Sequence, residues 1–254
     1  MSEIVTEQAD QVLSVILDFP PVNALTMARY LEIAALFEGI SERKDINCVV
    51  FTARGTKAFC AGLDLHEFLA APADKDQERA AIVRRTFAAV RKCAVPVIAA
   101  INGPALGAGA VLAAVSDIRI ASEKATFAMP EINVGRCGGG AHMGRLLPQG
   151  MLRQMYFTGE PISAWEAHRV GFVEQVVTPK RLLPAAYELA AVIARKSPIG
   201  LRMAKQALNE AEFLPVEEGY ELEQAFSSRL LLTEDAREAT RAVIEKRLPV
   251  FQGR

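Results

Sequence analysis

The segment Asn102-Gly103-Pro104-Ala105-Leu106-Gly107-Ala108-Gly109-Ala110-Val111 comes straight after an apolar run at 95–101 and continues in small and aliphatic residues to Val115. The composition predicts a buried strand at 95–101, with Pro96 near its start, feeding a helix over 104–115 that is apolar all round. A strand leading directly into a fully buried helix belongs in an α/β layer structure. Gly107, Ala108, Gly109 and Ala110 also clear bulky side chains from the helix's first turn, where backbone N–H groups lack intrahelical acceptors. Amides in that position, with the helix dipole behind them, can hold a negative oxygen. Small residues would equally permit close packing of a buried helix.

Upstream, Phe59-Cys60-Ala61-Gly62-Leu63-Asp64-Leu65 is a second small-residue loop, placed after the strand-length apolar run at 47–52. Ala61 and Gly62 allow another molecule to approach the backbone; a tight turn with Asp64 capping a following helix is the alternative reading. Further strands are expected at 11–19, which ends on Pro20-Pro21, at 117–121 and at 172–177. Helices are expected at 27–37, with Thr26 as cap, at 78–92, and at Ser163-x-x-Glu166, a capping box with Gly171 as its stop. From 184 onward helical spacing dominates, at 184–195, 199–211, 216–232 and 236–246. The expectation is an α/β core over 1–195 and a helical segment over 196–254.

The bulk composition excludes more than it identifies. The chain has 254 residues, 51% apolar and 23% charged, with a net charge of −1, so nothing electrostatic points to nucleic acid or an anionic membrane. Cys48, Cys60, Cys93 and Cys137 share no framework spacing, and MSEIVTEQAD has no apolar signal core; a reduced, cytoplasmic protein is expected. No stretch approaches a membrane span. Gly139-x-x-x-x-Gly144 is followed by Arg145-Leu146 rather than Lys-Ser/Thr, which rules out a phosphate loop, and Gly107-x-Gly109 lacks the rest of a dinucleotide fingerprint. Neither a G-x-S-x-G elbow nor a metal-ligand cluster is present.

The acid in Phe127-Ala128-Met129-Pro130-Glu131-Ile132 stands among apolar residues, where its pKa would rise and suit it to taking and giving a proton. Beyond it runs Gly135-Arg136-Cys137-Gly138-Gly139-Gly140-Ala141-His142. His142 reads as a solvated or core histidine or as a second proton carrier, and His66 could face a substrate or the surface. His168 reads as surface.

The two loops in this order, with Asn23-Ala24-Leu25, Pro130-Glu131 and Glu245-Lys246-Arg247…Pro249…Phe251, resemble the crotonase superfamily, the enoyl-CoA hydratase/isomerase family, over nearly the whole chain. That resemblance implies a spiral of β-β-α turns with a helical C-terminal segment, assembled as a homotrimer or a hexamer. It also implies an acyl-CoA thioester substrate with no metal or redox cofactor. By position it assigns the backbone N–H groups of Leu63 and Ala108 to an oxyanion hole, Glu131 to acid–base work, and Ala61, Leu65, Val22, Lys246 and Phe251 to CoA contacts. Hydratases of the family carry a second glutamate three residues beyond the oxyanion amide; here that position is Val111. A lone carboxylate suffices to shift a double bond, whereas water activation in the family's usual manner needs two. Val111 keeps open two other readings: a non-catalytic CoA-binding oligomeric scaffold, or a different crotonase reaction such as thioester hydrolysis or racemisation.

Overall fold

A computed structural model describes residues 3–254. Its larger sheet has six strands: β1 (Glu3–Ala9), β2 (Val12–Asp18), β3 (Cys48–Ala53), β4 (Val97–Ile101), β6 (Ile118–Ser122) and β9 (Gln175–Val177), in that spatial order. The first pair is an antiparallel hairpin and every later pairing is parallel. The smaller sheet joins β5 (Ala105–Leu106), β7 (Thr126–Ala128) and β8 (Ile162–Ser163). Isolated bridges Leu25–Leu63 and Cys60–Ala105 extend the smaller layer. Each turn of chain therefore visits the large sheet, then the small layer, then returns through helical or irregular chain, which is a β-β-α spiral.

The alternation of side chains along β3 explains how the sheet is covered. Val49 and Phe51 face one core and Cys48 and Val50 the other, all of them buried, as a period of two requires. On the first face lies α1 (Met27–Glu42), whose buried stripe Tyr30, Ile33, Ala34, Phe37 and Ile40 has helical spacing. Thr26 caps it by accepting from the Arg29 amide at 3.4 Å. The short α2 (Leu65–Ala70) and α3 (Asp76–Arg91) follow on the same side, and α4 (Ala108–Val115) is buried from Gly109 onward. Two further helices, α5 (Gly140–Met143) and α6 (Gln149–Thr158), then α7 (Ala164–Arg169), complete this part of the chain. The other face is covered by α8 (Leu182–Ala194), which presents Leu182, Ala185, Ala186, Ala190 and Ala194. The chain ends in α9 (Pro198–Ala211), α10 (Val216–Leu231) and α11 (Glu234–Ile244).

Two expectations are corrected, and two elements appear where none was expected. The helix expected from 104 starts at Ala108, because Cys60 and the 127–128 strand pair with residues 104–106 and Gly107 has φ +52°, a value no α-helix accommodates. The strand expected over 172–177 is confined to its last three residues, since Phe172 and Val173 donate their amides to Ala167 in a turn. Residues 3–9 form β1 although their acids and polar residues gave no strand signal: they sit on the sheet edge, mostly exposed. The helix at 149–158 had no anticipated counterpart.

Candidate active site

The loop at 60–64 is held on both sides by backbone hydrogen bonds. Ala61 donates to Val22 at 3.0 Å, Leu25 donates to Gly62 at 2.7 Å, and Asp64 donates to Leu25 at 2.9 Å. On the opposite flank Leu106 donates to Cys60 at 2.9 Å. In extended chain successive peptide groups point in opposite directions. With the Gly62 carbonyl and the Asp64 amide committed to Leu25, the Leu63 N–H is turned away from it, and it meets no acceptor among the described residues. Asp64 also caps α2 by accepting from Glu67 at 2.9 Å, so the turn reading and the close-approach reading of this loop hold together.

Glycines bring the second amide alongside. A Cβ on Gly62, whose φ is +88°, would lie 2.7 Å from the Leu106 carbonyl oxygen and 3.5 Å from the Ala108 nitrogen. A Cβ on Gly109 would lie 2.1 Å from the Cys60 carbonyl oxygen. The start of α4 thus rests directly on the 60–62 backbone, an approach only glycine permits. Gly107 satisfies its own amide on Ala128 at 2.9 Å and turns the chain so that Ala108 becomes the first helical residue, with no intrahelical acceptor for its N–H.

Glu131 comes to the same spot. A Cβ on Gly107 would lie 2.8 Å from Glu131 Oε1, so the carboxylate packs against the residue next to the Ala108 amide. The acid has no ion-pair partner among the described residues, and its Oε2 is sealed from solvent without a hydrogen bond. Burial raises its pKa above the ordinary carboxylate value, against a smaller lowering by its own backbone amide. Ala61, Leu63, Leu65, Ala108, Val111 and Glu131 all line one cleft of about 570 Å³.

A family model described as enoyl-CoA hydratase/isomerase matches residues 7–254. The chain belongs to the enoyl-CoA hydratase/isomerase family, the crotonase superfamily. It is 32% identical over 251 residues to a short-chain-enoyl-CoA hydratase of Clostridium acetobutylicum, covering 97% of this chain and 96% of that protein. It is 36% identical over 238 residues to an indene-carboxyl-CoA hydrolase of Mycobacterium tuberculosis, covering 92% and 95% of the two chains. A crystal structure of an enoyl-CoA hydratase from Bacillus anthracis superposes with a TM-score of 0.95 at 32% identity, covering 99% of each chain. The protein is an acyl-CoA enzyme of the enoyl-CoA hydratase/isomerase type.

Val111, the position at which the crotonase resemblance leads one to expect a second hydratase acid, lines this cleft and is only 1% exposed. A Cβ on Gly139, whose φ is +79°, would lie 2.6 Å from Val111 Cγ2 and 2.8 Å from Met129 Cε. The glycine run at 138–140 is therefore moulded around an apolar side chain, and Tyr156 braces it by donating to the Gly138 carbonyl. His142 lines the cleft with its ring edge-on to Phe87 at 5.6 Å. Burial, then Arg145 and Arg91, hold its pKa down, so the ring is neutral at pH 7. His66 is exposed and outside the cleft lining. The exposed His168 has its Nδ1 2.8 Å from the Val173 carbonyl.

Three CoA candidates of the crotonase resemblance stand apart from the cleft. Val22 touches it only through the hydrogen bond from Ala61. Lys246 is exposed, at φ +53°, and Phe251 borders a separate hollow with Gln11, Asn47 and Pro198. Sequence reasoning missed another part of the cleft lining, which Met27, Tyr30, Phe68, Val83 and Phe87 form. The spacing of Asp76, Arg79, Ala80, Val83, Arg84 and Phe87 on α3 marks one helix face, but only the partner surfaces show that this face borders a cleft. Asp76 closes one end by pairing with Arg136 at 2.6 Å. No helix among the described residues is long and apolar enough to cross a membrane.

Proposed function

We propose that the enzyme seats a thioester carbonyl oxygen between the Leu63 and Ala108 N–H groups and moves a proton at the adjacent carbons with Glu131. The observation that carries this reading is the carboxylate packed on Gly107, beside a free helix-start amide, with one oxygen lacking any partner. Removing a proton next to a thioester places charge on the carbonyl oxygen, and each preorganised donor is worth roughly 3 kcal/mol to that charge. Ala61, Leu65 and Val22 would contact CoA, and Lys246 and Phe251 would serve the cleft of a neighbouring subunit. No metal or redox cofactor takes part in these steps.

The chain divides in this reading into a spiral core at 1–195 and a helical segment at 196–254 that assembles a homotrimer or hexamer in the cytoplasm. Support for assembly comes from exposed apolar side chains on that segment, such as Val216 at 81%, Leu232 at 78% and Leu248 at 84%, a density that ordinary monomer surfaces avoid. The decisive assay follows crotonyl-CoA and a 3-enoyl-CoA by enoyl absorbance, with Glu131→Gln as control. Turnover of neither thioester, or equal turnover by the control, would refute the proposal.

Val111 leaves the acid without a second carboxylate to hold water in the family's usual manner, so hydration here depends on how else water is held. Val111→Glu should raise hydration of crotonyl-CoA by about 10²-fold, the lower end of what general acid–base help supplies. It should also lower the melting temperature, because the new carboxylate enters a site now filled by packed carbon. An unchanged hydration rate in a folded variant would mean that water is held by another group.

A further inference from the structure

One polar atom in the cleft has no role in the chemistry above. The Tyr30 side chain is 1% exposed and lies on the wall formed with Met27, Val83 and Phe87. Its ring stands edge-on to Phe87 at 6.3 Å, and the α1 backbone is fixed there by Thr86, which donates to the Tyr30 carbonyl at 2.8 Å. The hydroxyl, by contrast, makes no hydrogen bond to any described residue. It is also absent from the polar atoms sealed away from solvent, unlike Glu131 Oε2. A tyrosine this buried normally satisfies its hydroxyl, and the cleft is the space this residue borders. Burial above all, with the carboxylates of Glu131 and Glu67 adding to it, raises its pKa, so it stays a neutral donor and acceptor.

We propose that the Tyr30 hydroxyl is a substrate contact that binds an oxygen on the acyl chain, the water that adds at C3 or the 3-hydroxyl it becomes. This rests on the acyl-CoA reading above and names its preferred ligands as 3-hydroxyacyl and hydratable 2-enoyl thioesters. The position supplies, from the α1–α3 side of the cleft lining, a polar group that Val111 does not. In hydration the water oxygen bonds to C3, one water proton passes to Glu131, and Glu131 returns a proton to C2. The sum is H and OH across the double bond, with no change of oxidation state overall. Tyr30 keeps its proton and holds the oxygen in place.

Tyr30→Phe removes this one oxygen and leaves the packing carbon. Calorimetric binding of 3-hydroxybutyryl-CoA and butyryl-CoA to both proteins is the direct test. The native protein should prefer the hydroxylated thioester by roughly tenfold, the value of one buried neutral hydrogen bond, and Tyr30→Phe should erase that preference. In turnover, the ratio of hydration to isomerisation should fall by about tenfold in Tyr30→Phe. A native protein that binds both thioesters equally, a variant that keeps the preference, or equal loss of both reactions overturns the assignment. Failure of the underlying reading would look different: neither enoyl thioester would turn over even where the hydroxyl preference persisted.

Discussion

Glu131→Gln should lower turnover of enoyl-CoA thioesters by about 10²–10⁴-fold, the contribution of a positioned acid–base group, and at the same time make the folded protein more stable at neutral pH. The two effects share a cause. Burial against Gly107 raises the native pKa of Glu131, while the unfolded chain titrates near the ordinary value of about 4.3. Between those two values the folded state retains a proton that the unfolded state has lost, so stability falls as pH rises through that window. Above it the penalty is complete, and the neutral amide removes it. The gain would appear as a higher melting temperature of Glu131→Gln at neutral pH. The difference should vanish below the unfolded pKa, where both side chains are neutral in both states. In kcat/KM the native enzyme should show an acid limb displaced above the ordinary carboxylate value. A variant that is both active and no more stable at pH 7 would refute the placement of this acid.

Gly109→Ala is the second large effect. Its Cβ would come within 2.1 Å of the Cys60 carbonyl oxygen and 2.9 Å of Cys60 Cβ, distances at which backbone must move. Buried overpacking costs about 1–3 kcal/mol where side chains can yield, and here the obstruction is main chain, so a loss at or beyond the upper end is expected in denaturant unfolding. Whatever folds would carry α4 displaced from the 60–63 loop, separating the Leu63 and Ala108 amides. Loss of one oxyanion donor costs about 10²–10³-fold in kcat, and that is the expected minimum. Gly39→Ala supplies the contrast. It lies within α1 with nothing inside 4 Å of its added Cβ, so it should stabilise by about 0.5–1 kcal/mol. Equal behaviour of the two substitutions would mean that the contact between α4 and the loop is not required.

Most of the site's backbone chemistry was legible before any coordinates. Gly62, Gly107 and Gly109 announce close approach because no other residue tolerates it, and Glu131 stands out as an acid among apolar neighbours. The capping residues Thr26 and Ser163 were equally readable, since each acts on an amide three residues away. Less legible were the elements whose identity depends on a distant partner. Residues 104–106 read as helix because they are apolar, yet they pair with Cys60 and with the strand at 127–128. Tyr30 falls inside the helix expected at 27–37, and its free hydroxyl emerges only where α1 and α3 pack together as one wall of the cleft.

By itself the sequence determined the longer helices, the two glycine-bearing loops and the lone acid among apolar neighbours. These are local matters of side-chain size, periodicity and backbone freedom within a few residues. Tertiary structure alone decided that the start of α4 rests on the 60–62 backbone, that Glu131 packs on Gly107 without an ion-pair partner among the described residues, and that Lys246 and Phe251 lie away from their own chain's cleft. Those facts depend on how segments tens of residues apart meet, and no local preference encodes the distance between them.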